Sequence, residues 1–175
     1  SMMYATGLRQ SEVVAATVDD LSYVHYPADS TDKEPVEGWV LRVIGKGEKL
    51  REVPVPREVI DQLRAYLEAR GLSPQIEDIG NQGAHLLGKA VDIATRAPGL
   101  AKPEGVDARA GIAATTLYDQ LKAFFRECAE VLRKRGDVRG AARLAKASTH
   151  WMRHTHASHA IAANMPVEIA QQNLG

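Results

Sequence analysis

Residues 39–56, WVLRVIGKGEKLREVPVP, carry the pattern on which the predicted fold depends. Two runs rich in β-branched residues, 39–44 and 49–55, flank the short link Gly45-Lys46-Gly47-Glu48. Such a link is typical of an antiparallel hairpin, because glycine adopts the positive φ angles of tight turns at little cost. We therefore predict a β-hairpin that carries Lys46 at its tip.

A third strand precedes this hairpin and a helix follows it. Residues 18–26 have the same strand-forming composition, and the polar, acidic residues 27–37 form a loop before the hairpin. From Pro56 to Gly71 the apolar residues recur at helical spacing. The face of this helix that we expect to pack on the sheet consists of Val59, Ile60, Leu63 and Leu67.

Two further predictions concern the N-terminal segment and the middle of the chain. Residues 11–16 predict a short helix with Ser11 as its N-cap and Glu12 in its first turn, where a negative charge suits the helix dipole. Residues 72–114 hold most of the glycine and proline, and we interpret them as a long connection with a short helix over 84–87.

The last third of the sequence predicts helices only. A basic helix is expected up to Ala147, then a helix over 148–164 that its first serine or threonine caps, and a final helix from Pro166. They follow a long amphipathic helix, ended by Gly136, whose apolar face comprises Leu117, Leu121, Phe124, Phe125, Cys128, Val131 and Leu132. Because strands and helices are segregated, the predicted fold class is α+β, mainly α-helical with a small three-stranded antiparallel sheet.

Length and composition agree with one folded domain. The chain has 175 residues, of which 45% are hydrophobic and 25% charged, near the values of globular proteins. We find neither a run of about 20 apolar residues nor a signal peptide, so we expect a cytoplasmic protein. The single cysteine, Cys128, has no partner for a disulfide within the chain and is expected to be a buried structural thiol.

Charge is balanced over the whole chain but unevenly distributed along it. The 22 basic and 22 acidic side chains give no net charge, which argues against a nucleic-acid partner. However, residues 126–153 contain eight lysines or arginines and three acids, whereas residues 12–37 contain seven acids and one lysine. This distribution predicts one face suited to a polyanion, although solvated helix surfaces would give the same pattern.

Three segments carry side chains suited to phosphate chemistry: ATGLRQSE at 5–12, IGKGEK at 44–49 and HWMRHT at 150–155. Arg9 and Arg153 are permanently charged planar groups, each able to donate to two oxygens of one phosphate. His150 lies three residues before Arg153 on a predicted helix, so both side chains project from one face. Taken singly, each of these residues is more often a surface or capping residue than a functional one.

In this order, the three segments resemble the catalytic domain of the tyrosine recombinases, the phage integrase family. Its members carry Gly-Leu-Arg-x-Ser-Glu, a hairpin lysine and His-x-x-Arg around one DNA phosphate, and residues 7–12, Lys46 and residues 150–153 match these motifs. The resemblance spans residues 1–175 and implies a single catalytic domain without the family's N-terminal core-binding domain. Leu174-Gly175 resembles the start of its Leu-Gly-His motif, so the second histidine and the nucleophilic tyrosine would come later.

The resemblance implies an enzyme of site-specific DNA recombination that cuts and rejoins strands through a 3′-phosphotyrosyl intermediate, without a metal or other cofactor. Its partners would be double-stranded DNA and copies of itself in a synaptic tetramer. The implied catalytic residues are Arg9 and Arg153, which clamp the phosphate, Lys46 as the general acid, and His150 as an aid to proton transfer. Without the tyrosine, the chain itself is expected to be inactive.

Other residues near these motifs have more than one interpretation. Glu12 is expected to hold the arginine loop by hydrogen bonds. Candidate DNA contacts, which solvated surfaces explain equally well, are Lys49, Arg51 and His154. Zinc binding by the histidines around residue 150 is disfavoured, because the segment lacks the glutamate of His-Glu-x-x-His. The alternative function is a DNA- or protein-binding module that derives from a recombinase and lacks catalysis; a metal-dependent hydrolase is the more distant one.

Overall fold

The computed structural model describes residues 2–28, 34–45, 47–88 and 107–175. Within these ranges the helices are α1 (Met2–Thr6), α2 (Gln10–Ala15), α3 (Arg57–Ala69), α4 (Ala114–Lys134), α5 (Val138–Ala145), α6 (Thr149–Ala162) and α7 (Val167–Leu174). The strands are β1 (Leu21–Tyr26), β2 (Val36–Ile44) and β3 (Leu50–Val55). None of the described helices is both long and apolar enough to cross a bilayer.

The chain divides into two compact units. One consists of Ser1–Val14 and Ala113–Leu174, and we call it the helical unit. The other consists of Ala15–Ile112 and Gly175, and we call it the sheet unit. The predicted fold class, mainly α-helical with one small antiparallel sheet, is confirmed.

The sheet unit contains the three predicted strands, paired antiparallel in the order β1-β2-β3. Leu41 of β2 pairs with Leu21 of β1 and with Val53 of β3, and all three side chains are buried. The two runs around the glycine link therefore form the expected hairpin. Its predicted tip residue, Lys46, lies outside the described residues.

Helix α3 confirms the periodicity prediction. It packs on β2, and its buried residues are Val59, Ile60, Leu63 and Leu67. Full burial of one such side chain contributes roughly 1.5–3 kcal/mol, so this face is a major source of stability for the sheet unit. The chain leaves the helix through Gly71, whose φ of 81° suits glycine, as the sequence predicted.

The buried side chain of Arg70, directly after α3, holds the connection that follows. Its guanidinium donates to the carbonyl oxygens of His85, at 2.7 Å, and Ala108, and lies 5.3 Å from the ring centroid of Tyr66. Burial lowers the pKa of Arg70. A Cβ atom at Gly88 would lie 1.9 Å from this guanidinium, so only glycine permits the approach.

Two local predictions in the sheet unit were wrong. Residues 84–87 are not helical, because His85 bridges to Thr17 and the Leu86 N–H donates to the Ala16 carbonyl. A short apolar run does not distinguish a helix from a buried extended segment, and here distant backbone groups decide. The start of the first predicted strand is instead a 3₁₀ helix, Val18–Asp20.

Helix α4 was predicted correctly, but its buried face is narrower than expected. Leu117, Phe125 and Ala129 are buried, whereas Phe124 is 55% and Val131 48% exposed. Neighbouring residues on a helix point about 100° apart, so the adjacent apolar pairs 124–125 and 131–132 could not all face one core. Cys128 is half-buried rather than buried.

Bounds at the two ends of the helical unit also differ from the predictions. Helix α1 was not predicted, and α2 begins at Gln10, so Ser11 lies within its first turn and is not its N-cap. Helix α5 ends at Ala145 rather than Ala147. Helix α6 follows Ser148, which occupies the N-cap position, and α7 follows as predicted.

Candidate functional site

Three of the four predicted catalytic residues line one cleft in the helical unit. The cleft has a volume of about 380 Å³ and is lined by Leu8, Arg9, Gln10, Ser11, Ala114, Thr149, His150 and Arg153. The link between α1 and α2 supplies Arg9, and the first turns of α6 supply His150 and Arg153. The local folding of two distant segments therefore brings two guanidinium groups and an imidazole to one opening.

Arg9 is held by Glu12, one turn along α2. The Glu12 carboxylate accepts a hydrogen bond from the Arg9 backbone N–H at 2.7 Å and one from Arg9 Nη1 at 2.9 Å. The Glu12 side chain is 4% exposed and that of Arg9 is 35% exposed. A carboxylate buried to this degree needs a cationic partner, so the pair fixes both the loop and the guanidinium. This is the contact that the sequence analysis expected of Glu12.

Arg153 ties α6 to two other segments of the helical unit. Its Nη1 donates to the Gly7 carbonyl oxygen at 2.9 Å, and its Nη2 donates to the carbonyl oxygen of Leu174. Hydrogen bonds from a charged donor are roughly twice as strong as neutral ones. The geometry thus gives Arg153 a part in organising the cleft as well as a place in its wall.

His150 is exposed at the start of α6 and contacts a second histidine. The rings of His150 and His154 stack edge to face, with centroids 4.3 Å apart and an interplanar angle of 88°. His154, a predicted DNA contact, is also exposed. Among the described residues, no group of three His, Cys, Asp or Glu side chains could hold a metal ion.

Two polar residues of the cleft were missed by the sequence analysis. Thr149 Oγ1 donates to Gln10 Oε1 at 3.0 Å, and Gln10 Nε2 donates to the Ala114 carbonyl oxygen. Gln10 follows Arg9, and Thr149 precedes His150. This position beside a motif residue was the feature of the sequence that could have identified them. Together they tie the first residues of α2, α4 and α6 to one another.

The remaining predicted site residues belong to the sheet unit. Lys49 is exposed, and Arg51 lies half-buried on β3, where it pairs in register with Val43 of β2. Lys46 lies outside the described residues, so its placement stays a prediction.

The basic segment of the helical unit, residues 126–153, exposes most of its lysine and arginine side chains. Seven of its eight basic residues are exposed: Arg126, Arg133, Lys134, Arg135, Arg139, Arg143 and Lys146. Arg133 pairs with Glu130. A surface for a polyanion requires this exposure, and solvated helix surfaces would show it as well.

Sequence comparison relates the chain to bacterial tyrosine recombinases. XerC of Stutzerimonas stutzeri (strain A1501) is 32% identical over 102 residues, which are 57% of this chain and 30% of that protein. XerC of Shewanella oneidensis is 42% identical over 73 residues, 42% of this chain and 20% of that protein. XerD of Yersinia pestis is 39% identical over 67 residues, 38% of this chain and 18% of that protein. The matches thus span less than a third of each relative, and no family model matches the chain.

Solved recombinases share the fold. The crystal structure of XerA recombinase aligns with a TM-score of 0.54 at 19% identity, covering 99% of this chain and 46% of that chain. XerH site-specific recombinase, solved with its difH substrate in a pre-cleavage complex, aligns with a TM-score of 0.52 at 16% identity, covering 99% and 37%. Identities this low show the fold alone. The chain has the fold of solved recombinases, and over part of its length it is similar in sequence to the tyrosine recombinases XerC and XerD.

Proposed function

We propose that this chain binds a DNA phosphate in the cleft of Arg9, His150 and Arg153, as the catalytic domain of a site-specific recombinase or integrase. The observation that carries the proposal is that Arg9, from one family motif, and His150 and Arg153, from another, line one cleft. The activity is strand cleavage and rejoining through a 3′-phosphotyrosyl intermediate, with the tyrosine that the resemblance places after Gly175. Because its substrate is DNA, we expect the protein to act in the cytoplasm.

The proposed roles follow from the chemistry of the three side chains. Attack on a phosphodiester increases negative charge on the nonbridging oxygens, and cations already in place stabilise that charge without reorganisation. Arg9, fixed by the Glu12 carboxylate, and Arg153 would bind these oxygens. His150 would assist proton transfer, and Lys46 would protonate the leaving 5′ oxygen as the general acid.

Double-stranded DNA is the proposed partner. The exposed basic residues of α4 and α5 offer phosphate contacts beyond the cleft, and XerH, a structural neighbour, was solved with its difH substrate. On the sheet unit, Lys49 and Arg51 are proposed contacts as well, and His154 would contribute beside the cleft. Self-association into a synaptic tetramer, which the resemblance implies, is part of the same proposal.

The proposal is tested by the salt dependence of DNA binding. Fluorescence anisotropy of a labelled duplex would be measured between about 50 mM and about 200 mM salt for the native chain and for Arg9→Ala. Losing one phosphate contact should weaken binding and reduce the slope of log affinity against log salt by about 1.

The matched control is Arg64→Ala. Arg64 lies on α3, where it pairs with Asp61 at 3.1 Å, and has no place in the proposed site. It should leave both affinity and slope unchanged. Equal behaviour of Arg9→Ala and Arg64→Ala would contradict the proposal.

A further inference from the structure

Beyond the cleft, one side of α6 makes further contacts with the segment that leads into Arg9. Three side chains of α6, spaced three residues apart, contact residues 4–7. As the chain of α6 advances, the contacted residues run from Gly7 back to Tyr4. Arg153 donates to the Gly7 carbonyl, His156 bonds to the Tyr4 carbonyl, and His159 bonds to the Tyr4 hydroxyl. Residues this far apart on a helix are surface neighbours, so the contacts form one continuous strip.

His156 makes the central contact of this strip. Its Nδ1 lies 2.9 Å from the Tyr4 carbonyl oxygen, and because a carbonyl only accepts, the imidazole is the donor. Its ring also lies against the Cα atom of Gly7, where an added Cβ would be 2.6 Å from His156 Cδ2. Gly7 has a φ of 66°, a conformation that favours glycine. His156 therefore touches both ends of the four residues from Tyr4 to Gly7.

The position of Arg9 depends on how this segment is held. Glu12 fixes Arg9 from the C-terminal side, through its backbone N–H and its guanidinium. On the N-terminal side, the backbone turns at Gly7, two residues earlier, and there the contacts come from Arg153 and His156. A side chain that binds phosphate needs its supporting backbone fixed to within a fraction of an ångström.

We infer that His156 is a positioning residue for phosphate binding: its hydrogen bond to the Tyr4 carbonyl sets the Gly7 turn and so aims Arg9 into the cleft. This inference rests on the proposed function. It concerns a residue outside the three motifs, and it assigns the effect to the Nδ1 donor rather than to the bulk of the ring. A ring of similar size without a donor should therefore fail, and a smaller side chain that retains the donor should succeed.

The experiment is a double-mutant cycle on the 175-residue chain, with anisotropy of a labelled DNA duplex as the measurement. His156→Phe keeps a ring and loses the donor, and we expect it to weaken binding about threefold to tenfold. His156→Asn places an amide donor near the Nδ1 position and should restore most of the affinity. In an Arg9→Ala background, His156→Phe should have no further effect, because the group that it positions is absent.

The matched control is Thr155→Val on the same helix. The Thr155 hydroxyl donates to the Trp151 carbonyl within α6, so this variant loses one hydrogen bond without touching the Tyr4–Gly7 segment. It should bind DNA like the native chain. Thermal unfolding of every variant shows that the compared chains are folded, and if His156→Phe does not fold, His156→Ala takes its place in the cycle.

The outcomes separate the two proposals. If Arg9→Ala leaves DNA affinity and its salt slope unchanged, the proposed function is wrong. If Arg9→Ala weakens binding but His156→Phe does not, or if its effect is fully retained in the Arg9→Ala background, only the positioning role is wrong. Failure of His156→Asn to improve on His156→Phe would likewise overturn the assignment to the donor.

Discussion

Helices α3 and α6 are of similar length, 13 and 14 residues, but they are held in opposite ways. Helix α3 buries four apolar side chains, and its sequence shows the helical period clearly. Helix α6 has no buried residue and is attached through polar side chains on one side, among them Arg153 and His156. Helix α3 therefore stabilises its unit, whereas α6 fixes the geometry of a site.

This comparison predicts a separation of effects. Changes on the buried face of α3 should lower the free energy of unfolding and leave the DNA affinity of folded molecules unchanged. Changes in the strip of α6 that contacts residues 4–7 should lower the DNA affinity and change the free energy of unfolding little. The reason is that single hydrogen bonds contribute little to net stability but fix the positions of the groups that they join.

The largest expected effect is on stability, from Leu67→Ala in α3. Leu67 is fully buried, so the variant loses apolar contacts and leaves a cavity, at a cost of about 2–5 kcal/mol in the free energy of unfolding. Urea denaturation measures it. Leu50→Ala is the control, because Leu50 belongs to the same unit and is 65% exposed. If Leu67→Ala and Leu50→Ala lost equal free energy of unfolding, the buried face of α3 would not be a major source of stability.

The next effect is on binding, from Arg153→Ala in α6. The variant removes two hydrogen bonds from a charged donor and the proposed phosphate contact, so DNA affinity should fall by roughly tenfold to a hundredfold. Arg153→Lys keeps the positive charge but not the planar guanidinium, so it should recover only part of the lost DNA affinity. Arg64→Ala, whose side chain pairs with Asp61 outside the proposed site, serves as the control and should leave affinity unchanged.

A smaller effect is expected from Gly7→Ala, which should lower both the free energy of unfolding and the DNA affinity. The alanine is strained at a φ of 66° and its Cβ meets the His156 ring. Gly47→Ala is the matched comparison, because Gly47 has a φ of 76° and, among the described residues other than its chain neighbours, no atom lies within 4 Å of an added Cβ. Strain alone should cost about 1 kcal/mol in both variants, and only Gly7→Ala should lose further stability and DNA affinity. Indistinguishable variants would argue against a functional contact at Gly7.

The smallest effect is a dependence of stability on pH at Asp78 of the sheet unit. Hydrogen bonds from the Gly80 N–H, at 2.7 Å, and from Ser73 hold the pKa of Asp78 below its ordinary value. A lowered pKa in the folded state gives stability that is present above the ordinary value and is lost as pH falls through the lowered one.

The test compares the native chain with Asp78→Asn in urea at about pH 7 and about pH 3. The native chain should lose more of its stability on acidification than the variant, whose DNA binding at neutral pH should be normal. A variant that shows the same dependence on pH would exclude Asp78 as a contributor.

Local patterns predicted most of the secondary structure. The hairpin and α3 follow from turn glycines and apolar periods that lie within each segment. Residues 84–87 were mistaken for a helix because their partners, Thr17 and Ala16, lie almost seventy residues away in the chain. The buried face of α4 was overestimated because a period of apolar residues does not say which of them a neighbouring helix covers.

The site was predictable where motifs carry it and not elsewhere. Arg9, His150 and Arg153 came from short motifs, and the structure places all three in one cleft. Gln10, Thr149 and His156 were missed, because their partners lie more than a hundred residues distant. A hydrogen bond at that separation leaves no pattern of its own in the sequence, and for Gln10 and Thr149 only their position beside a motif residue was a signal.

The most direct test of the phosphate cleft follows its arginine side chains during binding. In an NMR titration with duplex DNA, the Nε–H signals of Arg9 and Arg153 would be assigned through the Arg9→Lys and Arg153→Lys variants. We predict that both signals shift together, with the same apparent Kd, while that of Arg64 stays in place. Binding that shifts other arginine signals and leaves those of Arg9 and Arg153 unchanged would contradict the account.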